Sequence, residues 1–548
     1  MLKRIVIVGG VAAGANAAVR ARRLSESASI TIFERGPFVS FANCGLPYYV
    51  GGEIEDRNKL TVQTPASLTE RFGLTVHVLH EVIKVFPDLK EIEVRDLVKG
   101  ETHRVQYDEL ILATGAAPLK PSIPGIDSPL LFTVRDIPDV DRIKESMAAK
   151  KWKRVVVLGG GYIGLEMIEQ LHRIGAEVTL IQSLPQVMQQ IDPELAALIH
   201  DELRAHGVKL ILGDAVESIE KHENGCALTV VTKSGAREEA DVGIIALGVR
   251  PETTLAANAG IRLGDRGGIK VDDQLRTSHP NIWAAGDCIE VQDWITRAWS
   301  LIALAGPANR QGRTVANNIF GKEDRYDGTL GTAVIRVFRL TVACTGANER
   351  SLTRAGIRYQ AVHLHPNSHA GYYPGAKPIA LKVLFSPDNG KLLGAQAVGE
   401  DGVERRIDII ATAIKGGLTA PDLVDLELCY APPYGSAKDP VNVAGMIAEN
   451  MLSGDVSSLT WNTIPKDAFL LDVRDGTEVA KGKIPSSVNI PLNEVRDRLN
   501  EIPKDREIVA YCQSGQRSYY ACRILTLNGF RCHNLSGAYK TWAAGTAE

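Results

Sequence analysis

Cysteine is scarce and unpaired here: eight residues in 548, at positions 44, 226, 288, 344, 429, 512, 522 and 532, with no C-x-x-C pair. No Cys/His cluster has zinc spacing, so neither a disulfide scaffold nor a metal site is expected, and a cysteine in a special setting reads as catalytic. Runs of about eighteen apolar residues are also lacking, which argues against a membrane-spanning helix. No leader precedes the first apolar run, Arg4 to Val8, and a reducing cytoplasm is the expected compartment. Charge of neither sign is in excess: 62 Lys and Arg face 65 Asp and Glu, a net charge of −3, which gives no reason to expect a nucleic-acid partner. Aromatic residues make up only 6%.

Glycine is abundant instead, with 51 residues, a bias suited to α/β folds whose turns bring backbone close to phosphates. Hydrophobic residues at 45% and charged residues at 23% describe an ordinary globular chain, long enough for about three to four domains. The opening segment RIVIVGGVAAGANAAVRARRLSESASITIFE reads as strand, glycine turn, helix to Leu24, then a strand from Ser29 ending at Glu34. This is the layout of a dinucleotide-binding unit, with Gly9, Gly10, Val11, Ala12 and Gly14 in the phosphate turn and Glu34 placed to accept from a ribose. Val11 occupies the middle glycine position and requires a slightly altered turn.

The pattern recurs at KRVVVLGGGYIGLEMIEQLHRIGAEVTLIQS, with Gly159, Gly161 and Gly164 regularly spaced and Glu166 following. Gln182 replaces the ribose-binding acid, and no Arg or Lys follows in Ser183 to Gln190 to hold a 2′-phosphate. NADH is therefore preferred to NADPH. A strand closing on Thr114-Gly115 and another closing on Gly286-Asp287 are similar to motifs of the two-dinucleotide flavoprotein reductases, where the second Asp holds the flavin's ribityl and phosphate chain. Beyond about residue 325, short alternating strands, an Asp388-Asn389-Gly390 hairpin turn and a helix predict an α+β domain. Small and polar residues from Leu452 to Ser458 read as a linker, followed by an alternating β and α unit.

The sharpest local feature is PFVSFANCGLPYYVGG. Cys44 lies in an irregular stretch that opens a helix, where a helix N-terminus is expected to depress a thiol pKa. A small buried hydrophobe is the alternative reading of any cysteine. Leu46, Pro47, Tyr48 and Tyr49 stand where a C-x-x-x-x-C partner would be. A lone thiol must store oxidation as a mixed disulfide, a persulfide or a sulfenic acid. In the tail, Cys512-Gln513-Ser514-Gly515-Gln516-Arg517-Ser518 follows a strand and precedes a helix, so loop N–H groups would ring the thiolate.

SFANCGLPYYVGG, together with AGPANRQGR, YYPGA and CYAPPYGSAKDPVN, resembles the coenzyme A-disulfide reductases. With its rhodanese-like tail the chain resembles the fused NADH-dependent persulfide reductases. The resemblance implies an α/β fold with two Rossmann-like dinucleotide-binding domains (FAD, NAD), an α+β dimerisation domain and a C-terminal rhodanese-like domain. The expected boundaries are 1–149 and 251–324 for the FAD domain, 150–250 for the NAD(P)H domain, 325–450 for dimerisation, 451–462 for the linker and 463–548 for rhodanese. It implies catalytic roles for Cys44, Cys512, Tyr372, Tyr430 and Arg517, with Tyr373 and Tyr434 as competitors of the two tyrosines. Arg35, Asn43, Ile163, Gly248, Pro307 and Tyr430 join the cofactor-binding set. Asn16, Arg20, Arg23, Ser40, Asn43, Arg71, Asn309 and Lys438 become coenzyme A contacts, and a homodimer is the implied assembly. Lys483 stands where rhodaneses have a His and Gln513 where they have an Arg, which touches donor specificity. The implied activity is reduction of persulfide, polysulfide or coenzyme A disulfide with FAD and NADH. The alternatives are a single-cysteine NADH peroxidase or oxidase, against which the absence of a loop His weighs, and a sulfur carrier or redox sensor serving a protein partner. An electron-carrier reductase would need no Cys44.

Overall fold

A computed structural model describes residues 3–222 and 227–546, so Cys226 lies outside the described residues. Two compact units emerge, one containing the described residues up to Pro185 with Gly207–Gly331, the other Gln186–His206 with the described residues from Thr332 onward. No helix among the described residues is long and apolar enough to cross a membrane.

Unit one holds two five-stranded parallel sheets. In the first, the strand order is Ile282–Ala284, Glu109–Leu112, Arg4–Val8, Ser29–Glu34 and Thr75–Val78. Arg4–Val8 is central and apolar on both faces, as a strand covered by helices on each side must be. The register sets Val8 beside Phe33 and Leu112, and Leu112 beside Ala284. The carboxyl ends of these strands therefore line up, and the turns after Val8, Leu112 and Ala284 open on one edge, the position for ligands in open α/β sheets. The second sheet repeats the plan, with Lys209–Leu212, Glu177–Gln182, Arg154–Leu158, Val242–Ile245 and Leu131–Phe132 all parallel.

Helix Ala12–Arg22 ends two residues before the expected Leu24, its last carbonyls taken by the amides of Arg23 and Leu24. It lies close against helix Ala305–Ile319, because small residues face each other: a side chain on Gly312 would stand 2.3 Å from the Ala13 carbonyl oxygen.

Unit two carries an antiparallel sheet ordered Ala333–Val337, Leu340–Gly346, Leu392–Gly399, Ile379–Phe385 and Gln360–Leu364. The Asp388-Asn389-Gly390 turn joins two of its strands. A parallel sheet follows, ordered Ser457–Leu459, Cys532–Leu535, Ile508–Tyr511, Phe469–Asp472 and Val488–Asn489. The expected linker is shorter than free chain would be. Met451 and Leu452 still belong to helix Pro440–Leu452, and Ser457–Leu459 pairs with Cys532–Leu535 as an edge strand. Helix Pro193–Ala205, expected inside the 150–250 domain, clusters with unit two. Its N-cap Asp192 and its first-turn Glu194 grip the buried Lys382 ammonium at 2.8 and 2.6 Å, and Glu349 adds a third contact at 2.9 Å.

Candidate active site

The two glycine turns share one geometry. Gly9 has φ +97°, and a Cβ there would sit 2.2 Å from the Ala113 carbonyl oxygen; a Cβ on Gly14 would meet the Gly9 oxygen at 1.9 Å. Gly159 and Gly164 are held in the same way, with 2.3 Å to Ala246 and 2.0 Å to Gly159. The middle position differs: Val11 has φ −99° and ψ −123°, Gly161 φ −86° and ψ −168°. Both φ values are open to any residue, and the altered turn is confined to ψ. Ala12 opens the first helix, and Ile163 lies in the first turn of the second.

Glu34 and Gln182 occupy equivalent strand ends and perform the same local task. Glu34 accepts from the amides of Gly10 and Gly36, each at 2.8 Å, while Gln182 Oε1 accepts from the Gly160 amide at 3.3 Å. Each polar tip thus stands beside the first free amides of its turn, which suits a dinucleotide with ribose at the strand end and pyrophosphate at the helix N-terminus. Gly115, Gly248 and Gly286 all have positive φ, at +70°, +101° and +85°.

The same edge collects two charged groups that sequence reading missed, Arg135 and Glu252. Arg35 reaches Glu252 at 3.2 Å, and Arg135 reaches the same carboxylate at 3.3 Å. Burial opposes ionisation of Glu252, but the two guanidiniums hold its carboxyl below the usual range. Thr114 donates its hydroxyl to the Glu252 backbone oxygen at 2.6 Å, and Asn43 donates to the Arg135 carbonyl at 3.4 Å. Buried Gln311 accepts from the Gly286 amide at 2.7 Å and so fixes the turn that presents Asp287. Burial pushes the Asp287 carboxyl up, with Arg135 opposing. Pro307 lies in the first turn of the helix that carries Gln311. These partners lie far apart in sequence, and no local pattern announces them.

Cys44 sits in the one-turn segment Asn43–Gly45, immediately before helix Leu46–Val50. Ser40, at φ +45°, donates its amide to the Gly10 carbonyl at 2.8 Å and so brings this segment to the first glycine turn. The expected depression of the thiol pKa is reversed. Although the residue is exposed, crowding of its sulfur by protein pushes the pKa up first, and the carboxylates of Glu166 and Asp287 add to the rise. The helix that follows is only five residues long. Glu166 also accepts from the Tyr48 hydroxyl at 3.3 Å.

Of the residues expected to contact coenzyme A, Asn16 and Asn309 meet at 3.2 Å across the two helices, and Arg20 donates to Asn317 at 2.8 Å. Arg23 does not share the inner face with Arg20: it is the exposed C-cap residue, its Nε directed back to the Val19 carbonyl. Arg71 is exposed in the last turn of helix Pro65–Phe72.

In unit two, Tyr372 and Tyr430 join their hydroxyls at 2.8 Å although they are 76% and 48% exposed. The shared hydrogen bond pushes the Tyr372 phenol up. Tyr434 is exposed without this contact, and Tyr373 stands edge-on to His369. Two arginines carry the loop of Tyr430 and Lys438. Arg405 donates to the carbonyls of Tyr434 and Cys429, and buried Arg406 pairs with Asp439 at 2.9 Å. Lys438 is exposed just before Asp439, the N-cap of helix Pro440–Leu452.

Cys512 follows strand Ile508–Tyr511 directly and is buried. Its sulfur accepts from the Gly515 amide at 3.1 Å and the Ser518 hydroxyl at 3.6 Å. Arg517 does not turn its charge wholly to the sulfur, since its two terminal nitrogens bind Glu478 at 2.6 and 2.7 Å. Arg474 pairs with buried Asp472 at 2.7 Å and also donates to Gln513, tying the loop to the neighbouring strand. Lys483 is exposed. Cys522 and Cys532 face each other in the core of this domain.

The pyridine nucleotide-disulphide oxidoreductase family model matches residues 3–312, its dimerisation domain 332–440 and the rhodanese-like domain 458–545. The coenzyme A disulfide reductase of Staphylococcus haemolyticus is 35% identical over 451 residues, 82% of this chain and all of that protein. The crystal structure of reduced Bacillus anthracis CoADR-RHD is 49% identical, covers 100% of this chain and 98% of its own, and superposes with a TM-score of 0.97. The NAD-dependent persulfide reductase from A. fulgidus is 36% identical, covers 98% of this chain and 100% of its own, with a TM-score of 0.92. An α/β oxidoreductase with a C-terminal sulfur-transfer fold is thereby established, and the chain belongs to the pyridine nucleotide-disulphide oxidoreductase family, in the group of the coenzyme A disulfide reductases, whose cofactors are FAD and NAD(P)H.

Proposed function

We propose that the chain is an FAD-dependent, NADH-preferring reductase of coenzyme A persulfide and coenzyme A disulfide, coupled to sulfur transfer at Cys512. The observation that carries this reading is a solvent-facing Cys44 with no cysteine neighbour in its segment, anchored through Ser40 to the first dinucleotide turn. The glycine cradles fit two dinucleotides: FAD at Gly9 to Gly14, Glu34 and Asp287, the nicotinamide cofactor at Gly159 to Gly164 and Gln182. Bound FAD supplies two-electron transfer between nicotinamide and sulfur.

The chain's own residues do the rest. Cys44, once ionised, attacks the coenzyme A-bound sulfur of a persulfide; the S–S bond breaks, hydrosulfide leaves, and Cys44 is left in a mixed disulfide with coenzyme A. With coenzyme A disulfide the leaving group is the second thiol. Two electrons and two protons return Cys44 to the thiol and release coenzyme A as its thiol. The Tyr372 phenol, kept protonated by Tyr430, is suited to protonate the departing sulfur, contributed by the partner in a homodimer. Cys512 carries sulfane sulfur between donors and coenzyme A. A persulfide substrate is favoured by the presence of this second sulfur site and by the likeness to a persulfide reductase over nearly the whole chain.

The test is NADH oxidation with coenzyme A persulfide, coenzyme A disulfide and hydrogen peroxide. Cys44→Ser is expected to lower turnover of both sulfur substrates by about a thousandfold while FAD stays bound. Full turnover in that variant would sink the reading, and faster NADH loss with peroxide than with persulfide would move it to a peroxidase.

A further inference from the structure

The rhodanese-like domain holds a second pair of sulfurs behind the Cys512 loop. Cys522 lies on the buried face of helix Gln516–Leu527 and Cys532 opens strand Cys532–Leu535; their Sγ atoms stand 3.1 Å apart, with the residues 1% and 6% exposed. A disulfide bond is about 2.05 Å long, so closing one here calls for a movement of about 1 Å.

The elements that carry the two cysteines also hold the Cys512 loop. Ser518, which donates to the Cys512 sulfur at 3.6 Å, precedes Cys522 by one turn on the same buried face, about 6 Å along the helix axis. Strand Cys532–Leu535 runs into the turn before helix Ala538–Gly545, where the Tyr539 and Lys540 amides donate to the carbonyls of Cys512 and Gln513 at 3.0 and 3.1 Å. A covalent bond between helix and strand would therefore shift the donors that ring Cys512. The two kinds of sulfur also differ in reactivity. Cys512 accepts an N–H and an O–H, whereas burial, then the hydrogen bond from Cys532, push the Cys522 thiol well above its ordinary value. At neutral pH the pair stays protonated and reacts slowly, so it answers to an oxidant that persists.

We propose that Cys522 and Cys532 are a dithiol redox site, which excess inorganic polysulfide converts to a disulfide that slows sulfur transfer at Cys512. One cysteine, once ionised, takes an outer sulfur from the polysulfide, whose S–S bond breaks and which leaves one sulfur shorter. The other cysteine attacks the protein-bound sulfur of the resulting persulfide, the bond between the cysteines forms, and the outer sulfur departs. Two thiols lose two electrons and two protons, and the sulfane sulfur takes them up to leave as hydrogen sulfide. The site rests on the geometry of the two cysteines; its effect on transfer rests on the reading of Cys512 above.

The test treats the FAD-loaded full chain with excess sodium tetrasulfide, removes the reagent, quenches one portion in acid for peptide mapping and assays the rest. Arg523 and Arg531 separate the two cysteines on tryptic cleavage, so the disulfide is seen as a cross-linked pair of peptides that lacks two hydrogens and is released by dithiothreitol. With it, sulfur transfer to cyanide is expected to fall by about tenfold, the size of losing one hydrogen-bond donor, and to recover in dithiothreitol. Cys522→Ala and Cys532→Ala are each expected to transfer sulfur and to keep that rate after tetrasulfide. A wild type that transfers sulfur but yields no cross-linked peptide overturns the inference and leaves the Cys512 reading intact. A cross-linked peptide with unchanged transfer also overturns it, as does an equal loss in both variants. A reduced wild type that transfers no sulfur overturns the Cys512 reading and with it the effect on transfer, and the peptide map alone then decides the site.

Discussion

At the scale of the residue, the two sulfur centres are set up oppositely. Cys512 is ringed by donors, the Gly515 amide and the Ser518 hydroxyl, both of which favour an anionic sulfur or a persulfide. Ser518→Ala is expected to reduce sulfur transfer to cyanide or thiol by about tenfold without changing NADH oxidation by coenzyme A disulfide, as measured in paired assays of one preparation. Cys44 faces the carboxylates of Glu166 and Asp287, which raise its pKa. Removing one negative charge lowers a thiol pKa, so Glu166→Gln should shift the pH midpoint of Cys44 alkylation downward, read by mass spectrometry of the Cys44 peptide. An unmoved midpoint would show that burial alone sets it. Cys44 was legible as special because Ser40, Asn43 and Gly45 surround it in an irregular stretch. The sign of its pKa shift was not, because Glu166 and Asp287 lie more than a hundred residues away in sequence.

At the scale of the element, legibility follows the range of the forces. The glycine turns and flanking strands of both dinucleotide units are local patterns, and their strand ends fall where periodicity puts them. Lys382 is the contrary case. In ALKVLF it looks like the polar face of an alternating strand, yet it is fully buried with Asp192, Glu194 and Glu349 around it. Two of those acids come from the start of a helix nearly two hundred residues earlier, which clusters with unit two. Burial opposes ionisation of Glu194, but His363 and then Lys382 hold its carboxyl far below the usual range. A depressed carboxyl contributes stability that is present above its unfolded pKa, near 4.3, and lost as pH falls below it. Lys382→Met leaves the acids buried without their cation and should cost about 3–5 kcal/mol at pH 7. The deficit narrows toward pH 4 as the acids take up protons, which denaturant titrations at the two pH values would reveal. An equal loss at both would assign the effect to packing.

At the scale of the whole molecule, unit two seats the rhodanese-like domain on strand Gln360–Leu364 through two histidines. His363 meets the Ser536 hydroxyl at 3.0 Å and Glu194 at 2.9 Å, and His365 meets the Thr541 hydroxyl at 2.8 Å. These contacts abut the Cys512 loop, since the Tyr539 amide donates to the Cys512 carbonyl at 3.0 Å. Sequence reading located the domain but treated its entry as a linker and found no seat, because hydroxyl-to-imidazole contacts leave no periodic trace. The seat is built to be acid-sensitive. Burial, with help from Lys540 and His363, pushes His365 down to about 3. A histidine held neutral contributes stability that is complete above its unfolded pKa of about 6.5 and declines as pH falls from there toward 3. In the wild type, amide exchange in helix Ala538–Gly545 should therefore accelerate between pH 7 and pH 5 beyond the intrinsic pH effect. His365→Gln keeps a polar partner for Thr541 but cannot take a proton, so its protection should change little over that interval. If wild type and variant lose protection in parallel, His365 is not the acid-sensitive group.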